Sequence, residues 1–442
     1  MRINILLICF IFVLSSLYFS GCEDNAISLW KEFMQKSKEF PDIQRLYQNG
    51  MFDEVLVNEV NGLVLLRFHS YPEYISPYTY FAWSRADKIP LQSLEGYLWI
   101  SFEKRYENIA LAEEVMVPSQ GIVMHHGPEL SPVISSVSVE GDPIIIQNSH
   151  GLPSFGDLWM NTWADDDCLY SAWGDGTGFG KEYADMGIAR LSGDPPNMTG
   201  EVLYLDPYND TDPLSQNNKP SSLLFYNDTL YAQFHSPLGD AEVGYLGCSK
   251  DYGKTWSMFR SESPWLRKHA SNFRCLFFIN MGKNYELNSD GYVYAFGIGS
   301  EWSWHGPIYL LRVPCEYILD YESYEYFVSS IDDEVIWTTN ESDARPLSGL
   351  ITHDQVSAMY HPELKRYILL NANYIYDAPY PWGPWCFSGE WVRYGWYGYQ
   401  PGIISKGTGP DSFWFTIAGQ QSPDEGGVSY QCNIGKIRVK LI

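Results

Sequence analysis

Apolar positions along this chain recur with the short period of strands rather than the longer period of helices. Brief aromatic or β-branched runs alternate with turns rich in Asp, Asn and Gly. Only Ile27 to Lys38 reads as an amphipathic helix. From residue 157 onward one pattern repeats: a strand, a polar turn, then a second strand that opens on an aromatic or aliphatic pair. Its instances are Asp165-Asp166-Asp167 into CLYSAW, Asn227-Asp228 into TLYAQF, and Ser289-Asp290-Gly291 into YVYAFG. His361 to Arg366 into YILLN and Pro410-Asp411 into FWFTIAG complete the series. Tyr170, Tyr231, Tyr294, Ile368 and Trp414 mark the second strands, at intervals of 61, 63, 74 and 46 residues. Five hairpins at roughly 60-residue spacing predict an all-β fold, a five-bladed β-propeller with four strands to a blade. A β-sandwich also contains repeated hairpins, but its spacing is shorter. The stretch Ser249-Lys250-Asp251-Tyr252-Gly253-Lys254-Thr255-Trp256 matches the Asp-box, S-x-D-x-G-x-T-W, found at blade turns of propellers. In that turn the Asp caps, the Gly permits the backbone angle and the Trp packs beneath. Its role is structural.

The first 130 residues lack the repeat. Met1-Arg2, an apolar run from Ile5 to Leu17, and Ser20-Gly21-Cys22 before Glu23-Asp24 describe a lipoprotein signal peptide over residues 1–21, with Cys22 acylated. The apolar run is shorter than the ~20 residues that span a bilayer. Residues 22–130 then form a small accessory domain, with VLVNEVNGLVLLRFHS and GYLWISFEK as strands, and residues 131–442 the propeller. The expected location is the bacterial cell envelope, periplasmic or surface-exposed, and the expected state is a monomer.

Composition narrows the chemistry. A formal net charge of −25, with only 29 Lys and Arg, repels phosphate backbones and excludes a nucleic-acid partner. Aromatics reach 16%, with 16 Trp and 33 Tyr, which fill β cores or stack on sugars. Cysteines 168, 248, 275, 315, 386 and 432 show no zinc spacing, so neither a metal nor another cofactor is expected. Their even number in an exported protein leaves disulfides and buried thiols equally open. The Gly-rich run from Gly174 to Gly180 has no helix behind it and is a poor phosphate cradle.

The first hairpin carries the candidate chemistry. Asp157 lies nine residues before Asp166 at the turn, and Asp175 nine after it. In a regular antiparallel hairpin such residues face one another. Two opposed carboxylates are the minimum equipment for glycoside hydrolysis, one as acid and one as base or nucleophile. The plainer alternative is that both aspartates cap turns beside glycines. Arg274, His353 and Asp354 precede inner strands of later blades, where they are placed to line a shared pocket. Trp163 and Trp173 stack on a sugar or fill the blade core.

Several motifs resemble, in order, those of the DUF4185 family. They are GDLWMNTWADDDCLYSAWGDG, GIARLSGDPPN, NMGKNYELNSDGYVYAFG, IYLLRVPCEYILDYESYEYF and YPWGPW, spread over roughly residues 131–442. Some members are endo-acting glycoside hydrolases on D-arabinan, with a propeller fold and two catalytic aspartates. The resemblance implies Asp157 and Asp175 as that pair and a polysaccharide as substrate. A non-catalytic carbohydrate-binding lipoprotein and a protein-docking scaffold are the alternatives.

Overall fold

The computed structural model describes residues 130–206, 218–236, 243–299, 305–331, 334–347, 350–353, 355–372, 374–391, 398–419 and 429–442, and, before these, only the strands within 52–125. The leader, Cys22 and the Ile27–Lys38 helix lie outside the described residues. The chain divides into two compact units, Met1–Glu129 and Leu130–Ile442.

In the first unit, Leu98–Ser101, Phe52–Asn58, Leu63–Phe68, Tyr80–Ser84 and Ile122–His125 form, in that order, an antiparallel five-stranded sheet. Ile89–Pro90 pairs antiparallel with Met116–Val117.

The second unit is a succession of five antiparallel meanders. The first runs Phe155–Trp163, Leu169–Gly178, Ala184–Asp194 and Asn197–Leu205. The second runs Lys219–Tyr226, Thr229–Ser236, Val243–Ser249 and Ser257–Met258. The third has five strands, Cys275–Asn280, Tyr292–Ile298, Tyr309–Pro314, Glu325–Ile331 and Glu334–Thr338. The fourth runs Ser357–His361, Arg366–Leu370, Tyr374–Ala378 and Cys386–Glu390. The fifth runs Gly398–Gly409, Ser412–Gly419 and Asn433–Leu441, and Ile134–Val139 from the start of the unit pairs with its last strand. All five sequence markers, Tyr170 to Trp414, fall on second strands.

The opening strand of each meander contacts the next, and the fifth contacts the first. Polar links stitch these junctions. Phe225 N–H donates to Thr162 Oγ1 (3.0 Å), and Phe278 N–H to Ser222 Oγ (2.7 Å). Ile279 and Asn280 pair in parallel with Ala358 and Met359. Ile403 N–H donates to Ser357 Oγ (2.8 Å), and Thr416 Oγ1 donates to the Trp159 carbonyl (2.8 Å). These hydroxyls are buried, so each satisfies a backbone group that water does not reach. Between the sheets the apolar side chains close up. The opening strand CLFFIN of the third meander is buried at every position, as a strand covered on both faces must be.

Turn chemistry repeats as well. Tyr170 OH donates to Asp166 Oδ2 and Tyr294 OH to Asp290 Oδ2, both at 2.7 Å, while the other carboxylate oxygen caps the turn. In the Asp-box, Asp251 accepts from Thr255 Oγ1 (2.6 Å) and from the Lys254 and Thr255 N–H groups. These bonds, the Thr255 hydroxyl foremost, pull its carboxyl down to about 2. Trp256 Nε1 donates to the Gly253 carbonyl, and its ring meets Phe234 edge-on. Tyr252 of the same turn lies against Tyr170 and Phe225, tying the second meander to the first.

All six described cysteines are free thiols, and five are buried. Burial pushes the Cys432 thiol well above its ordinary range. Among the described residues no helix is long and apolar enough to cross a membrane.

Candidate active site

The first hairpin begins regularly at its turn. Trp163 pairs with Leu169, and Asn161 with Ser171. Beyond Met160 the opening strand carries an extra residue, with Leu158 (φ 75°) and Trp159 (φ 46°) in the left-handed region. The bulge slips the register, so Asp157 stands opposite Gly174 and not opposite Asp175, as even pairing predicts. Asp175 is the next residue, itself at φ 46° in a second irregularity on the return strand. The two aspartates are therefore diagonal neighbours at the open end of the hairpin. A side chain at position 174 would press on the Asp157 carboxylate. A Cβ there would lie 2.6 Å from Asp157 Oδ1 and 2.9 Å from Leu158 Cδ1.

Each carboxylate has its own setting. Asp157 is 5% exposed, and its Oδ2 accepts a hydrogen bond from Tyr430 OH (2.8 Å). Tyr430 comes from the fifth meander's end of the chain and leans on Phe155. Asp175 is about one-third exposed, and its Oδ1 lies 2.8 Å from Lys219 Nζ. Lys219 starts the opening strand of the second meander and is only 1% exposed. Its ammonium also donates to the Asp185 carbonyl (2.9 Å). Tyr183, 59% exposed, feels the charges of this group. Partial burial and the charges of Asp175, Asp185 and Asp157 raise its phenol. Asp206 lies further along the same sheet. Burial raises its carboxyl against the opposing bonds from Asn218 (3.4 Å) and Tyr204 (3.3 Å). The arrangement offers one sheltered carboxyl, one accessible carboxylate held by an ammonium, and an open aromatic face beside both.

The two tryptophans expected at the site lie elsewhere. Trp173 is fully buried, its ring against Gly178 and Gly187, where any Cβ would strike it. It is core and cannot stack on a sugar. Trp163 is six residues along the strand from Asp157, roughly 20 Å at 3.3 Å per residue. It sits at the hairpin turn, where Nε1 donates to Asp167 (3.1 Å) and Lys283 and Lys406 approach its ring at 5.9 and 6.0 Å. Strand length separates it from the aspartates. Arg274 precedes the third meander. Its Nε donates to the Gly299 carbonyl, and its charge acts on the Glu341 carboxyl. His353 ends the short strand Ile351–His353, whose pairing partner is His305–Pro307, and Asp354 lies outside the described residues. Lys219, Tyr430 and Tyr183 are the site residues that the sequence pattern did not single out. Among the described residues no group of three or more His, Cys, Asp or Glu is placed to hold a metal.

An all-β unit of five meanders, with a carboxylate pair at the open end of the first, defines the class. The domain of unknown function DUF4185 matches residues 145–398, more than half of the chain, and the chain belongs to that family. No curated protein matches it. Among solved structures it is similar to a GH43_1 enzyme from Xanthomonas citri, at 14% identity and a TM-score of 0.42, over 68% of this chain and 92% of that one. It is also similar to an α-L-arabinofuranosidase from Podospora anserina, at 12% identity and a TM-score of 0.41, over 70% and 98%.

Proposed function

We propose that this protein is a glycoside hydrolase acting on a polysaccharide through Asp157 and Asp175, at the centre of a five-bladed propeller. Five meanders whose opening strands contact one another in full circle support the blade count. Ile134–Val139 beside Asn433–Leu441 then closes the last blade with the first strand of the unit. The observation that carries the functional reading is the pairing of unlike carboxyl environments one residue out of register. Glycoside hydrolysis needs one carboxyl to protonate the leaving oxygen and a second to attack the anomeric carbon or to activate water.

In this reading Asp175 supplies the carboxylate. Lys219 holds one of its oxygens. Asp157, sheltered and hydrogen-bonded by Tyr430, supplies the proton. Tyr183 offers its exposed face to the sugar ring. A carboxyl separation of ~5–5.5 Å in the substrate complex goes with retention of configuration, and ~6.5–9.5 Å with inversion. In this reading the enzyme is exported and anchored through Cys22 at the cell envelope, which the leader-like residues 1–21 support.

A second reading has an observation of its own. The ties from Lys219 and Tyr430 are also what a sugar-binding site without catalysis would use to fix its acceptors. Incubating the full chain with neutral and acidic polysaccharides, plant and bacterial, separates the two. Reducing-end release from one of them supports the hydrolase. Saturable binding without release, surviving both Asp157→Asn and Asp175→Asn, supports the binding protein.

A further inference from the structure

We infer that the turn between the third and fourth strands of the fourth meander is a second carbohydrate-binding platform, specific for neutral glycan chains and separate from the aspartate pair. Its centre is Tyr380, 51% exposed, lying on Trp382 with ring centroids 5.3 Å apart and planes only 5° from parallel. Trp382 is itself braced edge-on by Trp337 (6.3 Å). Trp337 continues the row, because the Arg312 guanidinium is held between its ring (4.2 Å) and that of Tyr292 (4.1 Å). Tyr292, Trp337 and Trp382 are half-buried, so the row borders solvent along its length.

The turn is rigid before any ligand arrives. Gly383 N–H donates to the Tyr380 carbonyl (3.0 Å), and the buried Trp385 donates through Nε1 to the Pro381 carbonyl (3.1 Å). Rings already fixed in place lose little entropy on binding. An exposed flat ring backed by a second parallel ring serves a ligand with a planar apolar face, and a sugar presents such a face of C–H bonds with its hydroxyls at the rim. Nucleic acid also stacks on aromatics, but a net charge of −25 opposes it. A protein partner needs about 800 Å² from each side, far more than two or three partly exposed rings supply. The one cation in the row, Arg312, is neutralised by Glu325 at 2.7 Å, which leaves no free charge to select a uronic acid or sulfated sugar.

Tyr380 lies at a turn end of its meander, whereas Asp157 and Asp175 lie at the open end of theirs. The choice of glycan as occupant leans on the functional reading above, so the test separates the two. The full chain carrying Asp157→Asn and Asp175→Asn is run through native gels containing arabinan, xylan, mannan, mixed-linkage β-glucan or polygalacturonate. Retardation by at least one neutral polymer and none by polygalacturonate is expected. Adding Tyr380→Ala should weaken that retardation about tenfold, as the loss of one aromatic stacking contact implies, while Tyr380→Phe retains it. In the otherwise unaltered chain, Tyr380→Ala should leave hydrolysis of a short oligosaccharide unchanged. Retardation that is absent, or unaffected by Tyr380→Ala, overturns the platform. Tyr380-dependent retardation by a chain whose parent hydrolyses nothing keeps the platform and sinks the hydrolase.

Discussion

Asp157 and Asp175 were visible in the sequence as a symmetric pair about the Asp166 turn, but their true relation was not. It depends on Leu158 and Trp159 adopting positive φ, and no residue pattern marks a leucine and a tryptophan for that conformation. Their partners were hidden for a different reason. Tyr430 reaches Asp157 across 273 residues, and Lys219 reaches Asp175 from another meander, so only the folded arrangement brings them in. The sequence left Trp173 between core and sugar stacking because burial and stacking select the same residue type. The Lys219 ion pair yields a prediction at this scale. Lys219→Met removes an almost fully buried ammonium and leaves Asp175 and the Asp185 carbonyl without it. Stability should fall by roughly 2–3 kcal/mol, the lower end for a pair with one partly exposed member. Urea unfolding measures this, and a loss below about 0.5 kcal/mol would show that the pair is held by something else.

Turns and strands were the legible elements. A turn Asp followed four residues later by a Tyr that bonds back to its carboxylate recurs because the same hairpin is solved twice with the same atoms. The junctions between meanders were not legible, since a buried Ser or Thr on a strand carries no mark of its partner. Those junctions can be tested singly and together. Ser222→Ala leaves the Phe278 N–H buried and unbonded, and Thr416→Val removes the donor to the Trp159 carbonyl. Each substitution should cost about 1–3 kcal/mol, as an orphaned buried polar group does. The two junctions share no side chain, so the double variant should lose the sum within about 0.5 kcal/mol. Equilibrium unfolding of the three variants decides it. A double variant no weaker than either single one would mean that the junctions do not hold the meanders independently.

At the scale of the whole molecule, the repeat revealed the number of hairpins but not how the series ends. The closing partner of Asn433–Leu441 is Ile134–Val139, which begins the unit and lies outside the repeat. An open edge there would expose a nine-residue strand to pairing with other chains. A chain starting at Leu130 should therefore remain soluble, whereas one starting at Asp142 should aggregate or unfold at a lower temperature. Size-exclusion chromatography and thermal melting compare them, and equal behaviour would remove the closing role from that strand.

The central claim concerns chemistry, and one rate ratio tests it most directly. Reducing-end release from the polysaccharide that the full chain cleaves fastest is measured for the parent, Asp157→Asn and Asp175→Asn, each checked for folding by its melting transition. Both substitutions should lower the rate by about 10²–10⁴-fold, the loss that follows removal of a general acid or base. A folded Asp157→Asn or Asp175→Asn protein that still releases reducing ends within twofold of the parent rate would contradict the account.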